Sequence, residues 1–151
     1  MIATSHAAKT YSRIGLETGV AAASPQQLIV MLYEGALLAV MEAESHLAAQ
    51  RAAQKGRAIS RAIMIIDEGL KASLDPGRGG SIAIQLHELY DYMGRRLLAA
   101  NLHNDAEALA EVTRLLRELK SAWEAIEGAA GGGTVTRTAR ATITTAGQAG
   151  A

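Results

Sequence analysis

The chain has 151 residues, with 15 Lys and Arg side chains, 15 Asp and Glu side chains and no cysteine. Zero net charge is untypical of proteins that bind nucleic acid or acidic membrane surfaces through electrostatics, and the lack of cysteine excludes disulfides, thiolate metal sites and cysteine nucleophiles. A chain of this length is expected to form one domain around one core.

The first predicted element is a loose N-terminal arm over residues 1–23, which are rich in Ala, Ser, Thr and Gly. Its scattered apolar side chains are Tyr11, Ile14, Leu16 and Val20. The polar start lacks the apolar stretch of a secretory signal, and no run approaches the roughly 18 apolar residues that a transmembrane helix needs. We therefore expect a cytoplasmic protein that does not insert into the membrane.

The first predicted helix begins after Ser24, which can cap it, and Pro25 suits the first helical position because an N–H would have no helical partner there. Gln27 completes a capping box with Ser24. The helix is predicted to run to about Gln50. Its core stripe has the three-and-four spacing of one helix face: Leu28, Leu32, Gly35, Ala36, Ala39, Ala43 and Leu47.

Two further helices are separated by a loop that contains Pro76 and several glycines, which break helical geometry. The second helix is predicted near Arg57 to Leu74 and the third from about Ser81 to Leu102. The core stripe of the second is Ile59, Ala62, Ile63, Ile66 and Leu70. That of the third is Ile82, Leu86, Leu89, Tyr90, Met93 and Leu97.

The fourth predicted helix has Asn104 and Glu107 at its cap and ends before Gly128. Its stripe is Leu109, Val112, Leu116, Leu119, Trp123 and Ile126. Four amphipathic helices with short links must be antiparallel neighbours, so we predict an all-α fold, an antiparallel four-helix bundle, over residues 24–127. The tail, residues 128–151, is rich in Gly, Thr and Ala and is predicted to be disordered.

The sequence contains no constellation typical of an enzyme. Metal sites in helical bundles often use Glu-x-x-His, yet none of the four histidines has Glu three residues before it. Nucleophilic catalysis needs a base and an orienting group beside the nucleophile, whereas the candidate serines are explained by structural roles: Ser24, Ser60, Ser73 and Ser81. We therefore predict a binding protein without catalytic residues, metal or cofactor.

The first helix is apolar on nearly every face, since only Tyr33 and Glu34 carry polar side-chain groups between Leu28 and Met41. A bundle helix needs one apolar stripe. The residues off that stripe are therefore expected to form an exposed apolar patch, which usually marks a binding surface for another chain. They are Ile29, Val30, Leu37, Val40 and Met41.

Three occupants of this patch are considered. The arm could fold over it through Tyr11, Ile14 and Leu16, or a symmetric dimer could bury it. The third occupant is an extended or helical client segment that folds on binding. The first and third readings are compatible if the arm shields the groove until a client displaces it.

The segment from Ser24 to Ala36, which includes Met31-Leu32-Tyr33-Glu34-Gly35, resembles the opening of the flagellar export chaperone FliS family, whose pattern there is Ala-Ser-Pro, an apolar run and Met-Leu-Tyr-acid-Gly. Further fragments in family order are Ile63, Ile66 and Leu70 before Ser73-Leu74-Asp75, Gly79-Gly80, Leu89-Tyr90-Asp91-Tyr92-Met93, Ala100-Asn101 followed by Asp105, and Leu115-Leu116 before Trp123. The resemblance spans residues 11–126, and the ordered combination is specific.

The resemblance implies a bundle that binds the disordered C-terminal segment of flagellin in the bacterial cytosol, prevents premature polymerisation and delivers the subunit to the flagellar type III export apparatus. Flagellar regulators are further candidate partners. The alternative function is a structural or regulatory bundle that self-associates through its apolar first helix.

The resemblance also implies that Tyr11 lies near the client groove and that Leu28, Met31, Leu32 and Tyr33 form the signature helix, although Leu28 and Leu32 could serve the core alone. Tyr33 and Tyr90 are either core anchors or client contacts, with the core favoured for Tyr90. The predicted partner-binding residues are thus Tyr11, Ile14, Leu28, Ile29, Met31, Leu32, Tyr33 and Val40.

Overall fold

Four α-helices make up most of residues 23–131, the part of the chain that the computed structural model describes. They are α1 (Pro25–Ala48), α2 (Ala52–Met64), α3 (Pro76–His103) and α4 (Ala106–Gly131). Between α2 and α3 the chain forms a π-helical segment, Ile65–Leu70, and one 3-10 turn, Lys71–Ser73. The predictions for Tyr11, Ile14 and the tail from residue 132 onward fall on residues outside this range.

The helices form a ring in which α1 packs against α2 and α4, and α3 packs against the same two helices from the other side. The helices α1 and α3 therefore lie diagonally opposite each other. The predicted antiparallel four-helix bundle is confirmed, and residues 23–131 contain no β-strand. None of the helices described here is long and apolar enough to cross a membrane.

The predicted start of α1 is confirmed in detail. The Ser24 hydroxyl accepts the Gln27 N–H at 3.2 Å, and the Ser24 N–H donates to Gln27 Oε1 at 2.8 Å, so both halves of the capping box are present. The helix ends at Ala48, slightly before the predicted Gln50. Gln50 instead adopts a left-handed conformation, with φ of 58°, and turns the chain toward α2.

The second helix starts earlier than predicted, at Ala52 rather than Arg57, because alanines sustain a helical turn there. Its end also differs, since regular α-helix stops at Met64 and gives way to the π-helical segment. A Cβ on Gly69 in that segment would lie 2.7 Å from Leu32 Cδ2. Because glycine has no Cβ, the backbone at this position can lie closer to α1 than a residue with a side chain would permit.

The predicted loop around Pro76 is wrong in part, because residues 76–79 form a helical turn. Asp75 caps this turn by accepting the N–H groups of Gly77 and Arg78 at 3.0 and 3.3 Å. Gly80, with φ of 55° and ψ of −132°, separates the turn from the rest of α3. Continuous helix therefore begins near Ser81, as predicted.

The predicted cap of α4 is corrected by one residue. The Asp105 carboxylate accepts the N–H of Ala108 at 3.1 Å. Asn104 instead ends α3 in a left-handed conformation, with φ of 52°, which asparagine tolerates better than most residues. At its other end α4 continues past Gly128 to Gly131, because one glycine costs a helix only about 1 kcal/mol.

The core consists of the predicted stripes with two exceptions. Ile82 and Ile126 are exposed, and they lie at the same end of the antiparallel bundle, at the start of α3 and near the end of α4. The largest fully buried side chains are Leu32, Tyr33, Ile59, Ile65, Ile66, Leu70, Tyr90, Met93, Leu97, Leu109 and Leu116. Buried alanines on all four helices allow the close packing.

Candidate functional site

The apolar faces of α1 are mostly covered within the bundle, which corrects the predicted patch. Val30, Leu37 and Val40 are buried, and Ile29 is half-buried. The reason is that α1 packs against two helices, α2 and α4, and so needs two apolar faces rather than one. Of the five residues expected to be exposed, Met41 alone is, with 45% of its surface accessible.

An apolar stripe nevertheless remains on the outer face of α1. It consists of Met31, which is half-buried, Leu38, which is 54% exposed, and Met41. Spacings of seven and three residues place these side chains on one helix face. We call this set the outer α1 stripe. Sequence reasoning missed Leu38, although its spacing from Met31 and Met41 is a usable signal.

Charged groups border the outer α1 stripe. Glu34 and Glu42 are exposed on the same side of the helix, and the Arg117 guanidinium of α4 lies 3.8 Å from the Met41 sulfur. Methionine adapts its shape to different partners because its side chain is unbranched and flexible. The stripe is therefore suited to an apolar segment that carries basic residues beside Glu34 and Glu42.

The other predicted site residues on α1 lie inward. Leu28, Leu32 and Tyr33 are buried in the core, whereas Ile29 is only half-buried. Leu32 packs against the π-helical segment at Gly69. These residues thus place α1 within the bundle, and Met31 is the member of the signature helix nearest the surface.

Tyr33 and Tyr90 form a buried pair across the bundle. Their hydroxyl oxygens lie 2.5 Å apart and connect α1 to the diagonally opposite α3. Burial raises the pKa of both phenols above the ordinary value for tyrosine. The Trp123 side chain lies beside the Tyr33 hydroxyl and opposes part of that pKa rise. The hydroxyl groups are therefore satisfied by the core itself.

Lys55 is a buried cation that the sequence reasoning did not single out. Its ammonium group donates to the Asn101 carbonyl at 3.1 Å and to the Asn104 side-chain oxygen. The C-terminal carbonyls of a helix carry partial negative charge, which compensates a cation. Lys55 thereby fastens the start of α2 to the end of α3. An isolated lysine in an alanine-rich stretch gives no sequence signal for this role.

Ion pairs and hydrogen bonds connect the outer edges of the helices. Glu111 of α4 accepts the Tyr92 hydroxyl at 2.8 Å and the Arg96 Nε at 2.7 Å, and the two together hold the pKa of this carboxyl below its usual range. Lys71 contacts Asp91 of α3 at 2.6 Å, which lowers the pKa of that carboxyl. These contacts stabilise the packing of neighbouring helices against each other.

A half-open depression of about 390 Å³ lies where α1 turns into α2. Its lining residues are His46, Leu47, Gln50, Arg51, Ala52, Lys55 and Asn104. The Nδ1 atom of His46 is buried there without a hydrogen-bond partner in the described part of the chain.

Residues 23–131 bring together no group of three or more His, Asp or Glu side chains that could hold a metal.

Comparison with known proteins identifies the family to which this chain belongs. The family model described as flagellar protein FliS matches residues 7–130. The flagellar secretion chaperone FliS of Salmonella typhimurium strain LT2 is 50% identical over 123 residues, which cover 82% of this chain and 91% of the relative. FliS of Escherichia coli K12 is 43% identical over 116 residues, 77% of this chain and 85% of the relative.

A third relative, flagellar secretion chaperone FliSB of Pseudomonas aeruginosa PAO1, is 41% identical over 120 residues, which cover 80% of this chain and 94% of the relative. The resemblance found in the sequence is thereby confirmed. The family consists of chaperones rather than enzymes, which also confirms the prediction of a non-enzymatic protein. This chain therefore belongs to the FliS family of flagellar secretion chaperones and has a chaperone role in flagellar export.

Proposed function

We propose that this chain binds the disordered C-terminal segment of flagellin in the bacterial cytosol, prevents its premature polymerisation and delivers it to the flagellar type III export apparatus. Membership of the FliS family supports a flagellar client. The observation that carries the proposal is the outer α1 stripe, since Leu38 and Met41 are large apolar side chains held exposed on a rigid helix.

The stripe fits a segment that folds as it binds. Complete burial of a Leu or Met side chain contributes about 1.5–3 kcal/mol, so covering the exposed half of Leu38 or Met41 contributes about 1 kcal/mol each. Ordering a disordered client costs about 2–5 kcal/mol. The stripe alone therefore cannot hold the client, which must also cover further apolar surface of the bundle.

The predicted partner-binding residues take different positions in this proposal. Met31, which is half-buried and belongs to the outer α1 stripe, contacts the client directly, whereas Ile29, also half-buried, faces away from that stripe. The buried residues pack α1 against the core and so hold the outer α1 stripe in position. They are Leu28, Leu32, Tyr33 and Val40. Tyr11 and Ile14 belong to the arm, which we place beside the client.

The mechanism is steric and thermodynamic. A client laid along α1 has its own apolar side chains covered, so they are not available for contacts between subunits. Glu34 and Glu42 favour a client with basic residues beside its apolar ones. Self-association through α1, the alternative function, is less well supported because most apolar side chains of this helix are buried in the core of the bundle.

The test is calorimetric titration of the full chain with the C-terminal segment of flagellin from the same organism. Saturable binding to this segment, and none to the N-terminal segment, is expected. Leu38→Glu should weaken binding at least tenfold, because it places a charge against the apolar client. Ile126→Glu, at an equally exposed site on α4, is the matched control.

Failure of the C-terminal segment to bind at all would contradict the proposed client. If Leu38→Glu and Ile126→Glu reduced the binding affinity equally, flagellin would remain the proposed client, but the outer α1 stripe would not be its binding site. Circular dichroism of each variant establishes that the bundle is folded, which is expected because both side chains are exposed.

A further inference from the structure

The depression at the turn from α1 into α2 is lined by basic groups. Of the seven residues around its volume of about 390 Å³, three are basic, His46, Arg51 and Lys55, and none is acidic. We call this site the basic depression. Because no carboxylate in its lining offsets the charges of Arg51 and Lys55, the basic depression attracts anions.

These basic groups have binding capacity that the bundle does not use. The exposed Arg51 side chain forms no ion pair with any side chain that the structure describes. The His46 imidazole likewise makes no hydrogen bond within the described chain, and its Nδ1 is buried. The two hydrogen bonds of Lys55 go to uncharged oxygens, those of Asn101 and Asn104, so its charge has no carboxylate counterpart there.

The start of α2 adds partial positive charge at the same place. Arg51 directly precedes Ala52, where the helix begins, no side chain caps this end, and the first turn contains no acidic residue. The N–H groups of a first turn have no partner within the helix, and the helix dipole is positive there. The helix start therefore reinforces the side-chain charges of the basic depression.

The basic depression lies beyond the end of the outer α1 stripe. His46 follows Met41 by five residues, which is a rise of about 7.5 Å along the helix. It also lies about 80° around the helix from Leu38. About four extended residues are enough to cover both displacements. A client that lies along the stripe with its C-terminal end toward α2 therefore brings its last residue to the basic depression.

We propose that the basic depression binds the terminal α-carboxylate of the flagellin C-terminal segment, an inference that rests on the function proposed above. The Arg51 guanidinium donates two parallel hydrogen bonds to the carboxylate, an imidazole N–H of His46 donates a third, and the Lys55 charge attracts it from below. Capture of a C-terminal carboxylate is a recurring mode of peptide recognition.

This contact sets the direction of the client. With its carboxylate in the basic depression, the client runs parallel to α1 and its preceding apolar residues lie on the outer α1 stripe. The half-open shape leaves room for the side chain of the last residue beside Leu47. A flagellin segment with an intact, unblocked C-terminus is therefore bound more tightly than one whose terminus is neutralised.

The experiment is calorimetric titration of the full chain with two peptides of identical sequence from the flagellin C-terminal segment. One peptide ends in the free carboxylate and the other in an uncharged amide. The amide should bind about tenfold more weakly or worse, because it loses the charge-assisted hydrogen bonds. This comparison uses the unmodified protein, so misfolding of a variant does not affect it.

A substitution assigns the difference to the basic depression. In Arg51→Gln the ratio of the two affinities should fall below about threefold, because the bidentate partner is gone, while the amide should bind as it does to the wild type. Arg57→Gln removes the same charge from an exposed site on the same helix, outside the depression. This control should keep the full difference between the peptides.

Equal affinities of the two peptides for the wild type would overturn the inference and leave flagellin as the proposed client. A difference that persists undiminished in Arg51→Gln would also overturn it, because the carboxylate would then bind elsewhere. Failure of both peptides to bind would contradict the proposed function itself, and the inference with it.

Discussion

The hydroxyl oxygens of Tyr33 and Tyr90 lie 2.5 Å apart and join the two helices that face each other across the core. Because burial raises the pKa of both phenols, both stay protonated, and one donates while the other accepts. Tyr33 has a second polar neighbour in Trp123, whose indole N–H can donate to the Tyr33 oxygen. Tyr90 has no such alternative among the interactions found in the described helices.

This asymmetry predicts unequal effects of removing one hydroxyl. Tyr33→Phe leaves the Tyr90 hydroxyl buried without a partner and should lower the free energy of unfolding by about 1–3 kcal/mol. Tyr90→Phe should cost less, because the indole N–H of Trp123 remains beside the Tyr33 oxygen as a donor. The double variant should cost less than the two single costs added together, as measured by urea unfolding. Strict additivity would show that the two hydroxyls do not interact.

Gly69 and Gly94 provide a matched pair of glycine substitutions. Gly69→Ala should destabilise the bundle by about 1–3 kcal/mol, because the new methyl group would lie 2.7 Å from Leu32 Cδ2. In Gly94→Ala on α3 the new methyl group would have no clashing heavy atom within 4 Å. This substitution should therefore stabilise the bundle by about 0.5–1 kcal/mol. Thermal unfolding of both variants checks the prediction, and equal signs would contradict it.

Lys55 should contribute to stability despite the cost of burying its charge. Lys55→Met keeps the apolar stem but leaves the Asn101 carbonyl and the Asn104 side-chain oxygen without this donor. We expect a loss of about 1–2 kcal/mol in the free energy of unfolding. Lys120→Met, which removes a partly exposed ion pair with Glu124, is the control and should cost under about 0.5 kcal/mol. A neutral or stabilising Lys55→Met would mean that desolvation outweighs the hydrogen bonds.

Acid should destabilise the bundle partly through Glu111. The hydrogen bond from Tyr92 and the contact with Arg96 lower the pKa of this carboxyl in the folded state. A lowered folded pKa stabilises the protein above the unfolded pKa, and this contribution is lost as the pH falls through the folded value. Glu111→Gln should therefore lose less stability than the wild type between neutral and acidic pH. Urea unfolding across that range measures it, with Glu118→Gln, an exposed position on the same helix, as the control.

The sequence pattern predicted the four helices, their order and the capping box at Ser24 because these depend on local spacing and on side chains near each other in the chain. It did not predict the burial of Val30 and Val40, which depends on α1 having two neighbours rather than one. The π-helical segment was also missed, and its close approach to α1, where Gly69 lies against Leu32, joins residues far apart in sequence. The buried position of Lys55 likewise depends on where α3 ends.

Trp123 is the single tryptophan of the chain, and the sequence contains no phenylalanine. Its half-buried ring packs against the core and lies beside Tyr33, at the contact between α4 and the signature helix. The fluorescence of the unmodified protein is therefore a local reporter of that contact. A client that shifts α1 would change the emission wavelength.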